Sequence, residues 1–139
     1  MRLAEEVAAN HRGKLPHSYE ELKSLPGIGP YTASAIAVFA FDAALPLIET
    51  NVREVFIHQF FSKRRNVHDR ELFPLIGQTL DRNNPREWFY ALMDYGAMLG
   101  RDPKGSLREN PNRRSAHYRR QSKFVGSKRQ VRGEVLRQL

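Results

Sequence analysis

The sequence predicts an all-α protein. Apolar residues recur at helical spacing in successive segments, as in Val52, Val55, Phe56 and Phe60. No segment shows the alternation of apolar and polar residues that is typical of a half-buried strand. Gly13 stands where a first helix ends, and Pro30 and Pro85 stand where later helices begin.

The same signals give the order of the helices. Ser18 and Glu21 form a capping box at the start of the second helix. The segment Asn83-Asn84-Pro85 marks a break between the fifth and sixth helices. We expect helices that end at Gly13 and that span about residues 18–24, 30–41, 50–61, 69–80, 85–99 and 127–139, with an irregular segment over 101–121. The buried stripe of the sixth helix is expected to be Trp88, Ala91, Leu92 and Tyr95.

The segment Leu25–Gly29 predicts a tight turn that binds phosphate. Gly27 and Gly29 can adopt backbone angles closed to other residues, which exposes successive N–H groups. The helix that begins at Pro30 directs its positive N-terminal end out of this turn. A plain glycine-capped turn between two helices is the alternative. The candidate DNA-binding residues are Leu25, Pro26, Gly27, Ile28, Gly29 and Thr32.

The positive charge of the chain is concentrated after residue 100. The net charge is +8; residues 1–100 carry 11 Lys/Arg and 12 Asp/Glu, whereas residues 101–139 carry 12 and 3. A basic segment with few acids binds phosphates by releasing counterions, so Lys123, Lys128 and Arg129 join the DNA-binding candidates. A solubilising or disordered tail, or one that binds ribosomal RNA, is the alternative.

Composition also bounds the location and the metal chemistry. No apolar run reaches the length that spans a membrane, and the absence of cysteine excludes disulfides, so we expect a cytoplasmic protein. The five histidines are scattered without metal-ligand spacing. We therefore predict no metal site.

The helix, the Leu-Pro-Gly-Ile-Gly turn and the next helix resemble the helix-hairpin-helix motif of DNA-binding proteins. With Ile48-Glu-Thr-Asn-Val52, the resemblance narrows to the helix-hairpin-helix DNA glycosylases. Pro30-Tyr-Thr32 and Ala91-Leu-Met-Asp-Tyr-Gly-Ala97 are most similar to the MutY-type adenine glycosylases. The resemblance runs from about Arg2 to Leu99 and, more weakly, over residues 124–133. It implies a base excision repair enzyme that removes adenine mispaired with guanine or oxidised guanine.

Glu49 is the candidate catalytic acid. It opens a helix close behind the hairpin, and Asn51 follows two positions later, able to bond the carboxylate and fix its direction as the family's asparagine does. Cleavage of a glycosidic bond builds positive charge on the sugar, which a neighbouring carboxylate stabilises. The alternative is that Glu49 only complements the helix N-terminus.

Three departures from the family pattern set further expectations. The family has aspartate where Glu49 stands. Its members commonly carry four cysteines that hold an iron–sulphur cluster after the Met-Asp-x-Gly-Ala segment; this chain has no cysteine, so we expect no cofactor. The family's catalytic domain also begins upstream of the segment matching Met1. We therefore expect a fragment whose glycosylase fold is incomplete at the N-terminus, with one wall of its cleft missing.

The resemblance also implies a division of the chain and a type of activity. Residues 1–45 would be the C-terminal part of the six-helix domain, and 46–139 a second helical domain with the acid and the basic tail. Tyr31 stands where bifunctional relatives such as endonuclease III carry a Schiff-base lysine, which implies a monofunctional enzyme. Tyr31 either lines the base pocket or packs against the hairpin.

The expected partner is double-stranded DNA with a mispaired or damaged base, bound by a monomer. Two alternatives to adenine excision stay open. One is a thymine or uracil mismatch glycosylase. The other is a non-catalytic or degenerate helix-hairpin-helix module that binds DNA.

Overall fold

A computed structural model describes residues 2–101, 109–120 and 123–138, and the regular structure in these ranges is helical. The helices are α1 (Arg2–Asn10), α2 (Tyr19–Ser24), α3 (Pro30–Phe41), α4 (Thr50–Phe60), α5 (Asp69–Thr79), α6 (Pro85–Arg101), a 3₁₀ turn (Pro111–Arg114) and α7 (Lys128–Arg137). Extended pairing in the same ranges is limited to an isolated bridge between Val67 and Ser115. The predicted all-α fold class is confirmed.

Local sequence signals set the helix ends. The Ser18 side chain accepts a hydrogen bond from the Glu21 N–H, as the capping box predicts, and Pro30 is the first residue of α3. Residues 102–108 and 121 of the segment predicted to be irregular lie outside the described residues, and its described part contains the 3₁₀ turn. None of the described helices is long and apolar enough to cross a membrane.

The core consists of two apolar clusters. The smaller one joins α2 and α3, with Leu3 and Val7 of α1 packed against it; its buried members are Leu22, Leu25, Ala33 and Ala37. The larger one lies between α4, α5 and α6, and includes Val52, Phe56, Leu72, Ile76 and Phe89. Leu45 contacts both clusters, and the boundary between residues 45 and 46 stays a prediction.

Helices α4 and α6 approach each other closely at two glycines. A Cβ atom on Gly96 would lie 2.3 Å from the carbonyl oxygen of Asn51, and one on Gly100 would lie 2.7 Å from Oε2 of Glu54. The neighbour of Gly96 is backbone, so only glycine permits that approach, whereas the neighbour of Gly100 is the end of a side chain. The close backbone contact lies in the first turn of α4, at Asn51.

Two side chains are more exposed than the helical pattern indicates. Phe60 keeps the spacing of Val52, Val55 and Phe56, but its side chain is 53% exposed and stacks on Phe56 in the last turn of α4. In the predicted stripe of α6, Ala91 is exposed and the other three residues are half-buried, whereas Phe89, Gly96 and Leu99 are buried. Helical spacing specifies a face, but it does not specify how far the neighbouring helices cover that face.

Candidate active site and nucleic-acid interface

The hairpin Leu25–Gly29 is a tight turn closed by a hydrogen bond from the Ile28 N–H to the Leu25 carbonyl, 3.1 Å long. Gly27 has φ +83°, in the left-handed region that favours glycine. Gly29 has φ −88° and ψ 174°, an extended conformation that any residue adopts. The expectation of a special backbone angle is therefore confirmed for Gly27 and wrong for Gly29.

The outer surface of the hairpin is open and offers free donors. Among the described residues, no acceptor contacts the backbone N–H groups of Gly27, Gly29, Tyr31 or Thr32. No heavy atom lies within 4 Å of a Cβ built on Gly27 or Gly29. Successive free N–H groups at a helix N-terminus form a concave anion site.

The other hairpin residues divide between support and surface. The Leu25 side chain is buried in the smaller cluster, and Ile28 is half-buried against it. Pro26 and Thr32 are exposed beside the free N–H groups. Leu25 and Ile28 therefore hold the turn from below, while Pro26 and Thr32 are accessible to a ligand.

Glu49 is the N-cap of α4 and is bonded to its own helix through both carboxylate oxygens. Its Oε1 accepts from the Val52 N–H at 2.8 Å, and its Oε2 accepts from Nδ2 of Asn51 at 3.3 Å. The expected Asn51 contact and the alternative capping role are thus both present. The catalytic role of Glu49 and Asn51 stays a prediction.

A cavity of about 500 Å³ lies beside the start of α3 and extends to α5. Its lining is mostly apolar and consists of Tyr19, Pro30, Tyr31, Ser34, Leu45, Pro46, Leu47, Ile48, Asp69 and Phe73. Tyr31 is 56% exposed and lines this cavity; its role in a base pocket stays a prediction. Glu49 and Asn51 are not among the lining residues; Glu49 directly follows Ile48, which lines the cavity.

Asp69 gives the cavity a carboxylate that sequence reasoning missed. Arg53 of α4 binds it through two parallel hydrogen bonds, Nε to Oδ1 at 2.7 Å and Nη2 to Oδ2 at 2.8 Å. Burial alone would raise the pKa of Asp69, but the hydrogen bonds and charge of Arg53 outweigh it and hold this pKa below its usual value. The ion pair joins α4 to α5 and leaves little net charge at this wall.

Glu54 was also not identified as a candidate residue from the sequence. Its side chain lies in the α4–α6 contact and is only 5% exposed. Its Oε1 accepts from Nδ2 of Asn110 at 3.2 Å, whereas its buried Oε2 has no partner among the described residues. Burial raises the pKa of Glu54, the charge of Glu49 raises it further, and the Asn110 bond opposes both. Glu54 stands between Arg53 and Val55 in the sequence, and this local pattern gives no signal that its side chain is buried.

The basic candidates near the C-terminus lie around the start of α7. Lys123, Lys128 and Arg129 are exposed, and the Arg129 guanidinium lies 6.0 Å from the centre of the Phe124 ring. α7 packs against none of the other described helices. The structure therefore does not bring these three residues into contact with the hairpin.

The residues present do not fit the iron–sulphur cluster that the family resemblance implies. A thiolate-held cluster needs cysteine, and the sequence contains none. Within the described ranges, no group of three or more His, Asp or Glu side chains could hold a metal ion. The absence of a cofactor stays a prediction that follows from this donor set.

The fold and the hairpin define a protein of the helix-hairpin-helix class, and a family model described as "Helix-hairpin-helix motif" matches residues 10–39. The adenine DNA glycosylase of Mycolicibacterium smegmatis is 31% identical over 94% of this chain and 48% of its own length. That of Arabidopsis thaliana is 34% identical over 69% and 16%. The thymine/uracil-DNA glycosylase of Pyrobaculum aerophilum is 32% identical over 76% and 49%.

This chain belongs to the helix-hairpin-helix DNA glycosylase superfamily and is similar to its MutY-type adenine glycosylases. It spans about half the length of the mycobacterial and Pyrobaculum relatives.

Proposed function

We propose that the protein is a monofunctional DNA glycosylase of base excision repair that removes adenine mispaired with guanine or oxidised guanine. One observation carries the proposal. The Glu49 carboxylate, bonded by Asn51, lies at the start of α4, one residue after Ile48, and Ile48 and Tyr31 both line an apolar cavity. The open hairpin directly precedes Pro30 and Tyr31, which line this cavity, and its free N–H groups offer a site for the DNA backbone.

The proposed reaction divides between three parts of the molecule. The free N–H groups of the hairpin hold a backbone phosphate without reading sequence. The target nucleotide leaves the duplex and its base enters the cavity, because an enzyme cannot reach the glycosidic bond inside the base stack. Glu49 then stabilises the positive charge that develops on the deoxyribose as this bond breaks.

Tyr31 supports base release without strand cleavage. A lyase step needs an amine that forms a Schiff base with the sugar, and a phenol cannot supply one. The expected product is therefore a free base and an abasic site in an unbroken strand. We expect the protein to act as a monomer on double-stranded DNA, in the cytoplasm.

Two other candidate functions each have an observation in their favour. Similarity to the Pyrobaculum thymine/uracil-DNA glycosylase favours thymine or uracil as the target base. The two hydrogen bonds that Glu49 makes to its own helix favour a non-catalytic DNA-binding module, since a capping role alone would explain them.

A single-turnover assay with four duplexes tests the proposal. The duplexes carry adenine opposite guanine, adenine opposite oxidised guanine, thymine opposite guanine and uracil opposite guanine. We expect strand breaks only after alkali, fastest with one of the adenine duplexes, and a rate at least about 100-fold lower in Glu49→Gln. Release of thymine or uracil alone would assign the second function. Tight duplex binding without base release would assign the third.

A further inference from the structure

Residues 109–116, here called the strap, run beside α4 and contact it at two levels. Nδ2 of Asn110 donates to Oε1 of Glu54 in the middle of the helix. Nη1 of the buried Arg114 donates to the carbonyl oxygens of Phe61, the C-cap of α4, and of Ser62, the next residue. A guanidinium at this end of a helix complements the helix dipole.

The strap is also fixed to the chain that leaves α4. The Val67 N–H donates to the Arg114 carbonyl at 3.0 Å, and the Ala116 N–H donates to the Val67 carbonyl at 2.9 Å. The Asn110 side chain caps the strap's own 3₁₀ turn, because its Oδ1 accepts from the Asn112 N–H at 2.7 Å. Asn110 thus makes two contacts: its oxygen caps the adjacent 3₁₀ turn, and its amide nitrogen bonds Glu54, which is distant in sequence.

The contact between Asn110 and Glu54 is a costly way to join two segments. A buried carboxylate with one unpartnered oxygen is destabilising, and an apolar pair of similar size would pack at lower cost. Such a polar contact does, however, specify one relative position of the two segments, because the donor must face its acceptor. Glu54 lies one turn beyond Asn51 on α4, and Gly100 packs against its Oε2 just as Gly96 packs against the Asn51 backbone.

We propose that Glu54 and Asn110 are positioning residues: their hydrogen bond fixes the first two turns of α4, from which Glu49 and Asn51 project, without cysteine or metal. The link to catalysis rests on the function proposed above. The link to the position of α4 does not, since it concerns the free protein. Asn110 sets the position in the middle of the helix, and Arg114 secures its C-terminal end.

An exchange of donor and acceptor tests the contact. Asn110→Asp keeps the oxygen that caps the 3₁₀ turn but replaces the donor by an acceptor that faces the Glu54 carboxylate. The double variant Glu54→Gln/Asn110→Asp restores one amide and one carboxylate in reversed order, and it restores the net charge. Asn83→Asp is the control, because Asn83 is exposed and the change adds the same charge without this contact.

Two readouts are taken on each variant. The first is amide hydrogen exchange over residues 53–57 of α4 in the free protein. The second is the single-turnover rate at saturating enzyme, compared with the Kd for the duplex. We expect Asn110→Asp to lose protection and at least about 10-fold in rate, with Kd changed less than about twofold, since a displacement near 1 Å suffices for such a loss. The double variant should recover most of both losses; the bond from Nδ2 of Asn110 to the Gly100 carbonyl oxygen, 3.4 Å long, is the part that it does not restore.

The outcomes separate this proposal from the proposed function. If the wild-type protein releases no base, the function fails, and hydrogen exchange alone decides the positioning role. Protection in Asn110→Asp equal to that of wild type would overturn the proposal. Equal losses in rate and in duplex affinity, or a double variant no better than Asn110→Asp, would overturn it too, because they indicate general destabilisation.

Discussion

Replacing Gly96 by alanine tests the closest approach in the molecule. The new Cβ would lie 2.3 Å from the Asn51 carbonyl oxygen and 2.6 Å from its carbonyl carbon and Cα atoms, whereas ordinary contact begins at 3.4 Å. The obstacle is backbone, so no side-chain rotation relieves it. The first turn of α4 must therefore move away from α6 by roughly 1 Å.

The consequences for stability and for rate differ in size. Overpacking of this kind costs about 1–3 kcal/mol, partly offset by the gain of about 0.5–1 kcal/mol for alanine over glycine in a helix. The melting temperature should fall by a few degrees. Glu49 and Asn51 move with the displaced turn, and a shift of about 1 Å at reacting groups can cost about 100-fold in rate.

The assay compares Gly96→Ala with Gly77→Ala by thermal melting and single-turnover base release. Gly77 lies in α5, and no heavy atom lies within 4 Å of a Cβ built there. This control should melt slightly higher than wild type and keep the wild-type rate. Duplex affinity should be unchanged in both variants, because the hairpin residues Leu25 and Ile28 pack in the smaller apolar cluster and not in the α4–α6 contact. A Gly96→Ala protein with wild-type melting and rate would refute the account of the α4–α6 contact.

Three further predictions concern the hairpin, Glu54 and metal. Gly29→Ala should leave the melting temperature unchanged but weaken duplex binding, because its Cβ meets no protein atom and would face the bound phosphate. Gly27→Ala should lower the melting temperature and the duplex affinity, since the φ of Gly27 is +83°. Undiminished affinity in the two variants would exclude this turn as the phosphate site. The pKa of Glu54 is raised above 4.5 in the fold, so its contribution to stability is present below about pH 4.5 and is lost as pH rises through the folded pKa. Glu54→Gln should therefore melt like wild type in acid and at a higher temperature than wild type at about pH 7. A difference in melting temperature that stays constant across this pH range would contradict the raised pKa. Chelators should leave melting and base release unchanged, because the chain has no thiolate to hold a cluster, and a loss of either would contradict the predicted absence of a cofactor.

Local signals predicted the parts of the fold that local interactions determine. The Ser18 capping box, the left-handed Gly27 and the proline at the start of α3 each act over a few residues, so their sequence pattern is sufficient. The hydrogen bond between Asn51 and Glu49 spans two residues and was predicted for the same reason.

Contacts between distant segments could not be read in this way. The burial of Glu54 depends on Asn110, which lies 56 residues later, and nothing near Glu54 in the sequence announces that partner. The Arg53–Asp69 pair depends likewise on how α4 and α5 pack. Gly96 did carry a signal, since a glycine inside a helix costs about 1 kcal/mol and often has a packing reason, but the sequence did not identify Asn51 as the neighbour.

The central claim is that the Glu49 carboxylate performs chemistry and does more than cap α4. Asparagine and aspartate are equally good N-caps, so Glu49→Asn and Glu49→Asp preserve the start of the helix and differ in charge. The most direct measurement is the single-turnover rate of both variants on the preferred duplex, with melting temperature as the check on folding. We predict that Glu49→Asp retains base release and that Glu49→Asn loses about 100-fold or more at an equal melting temperature. Equal rates in the two variants would contradict the claim.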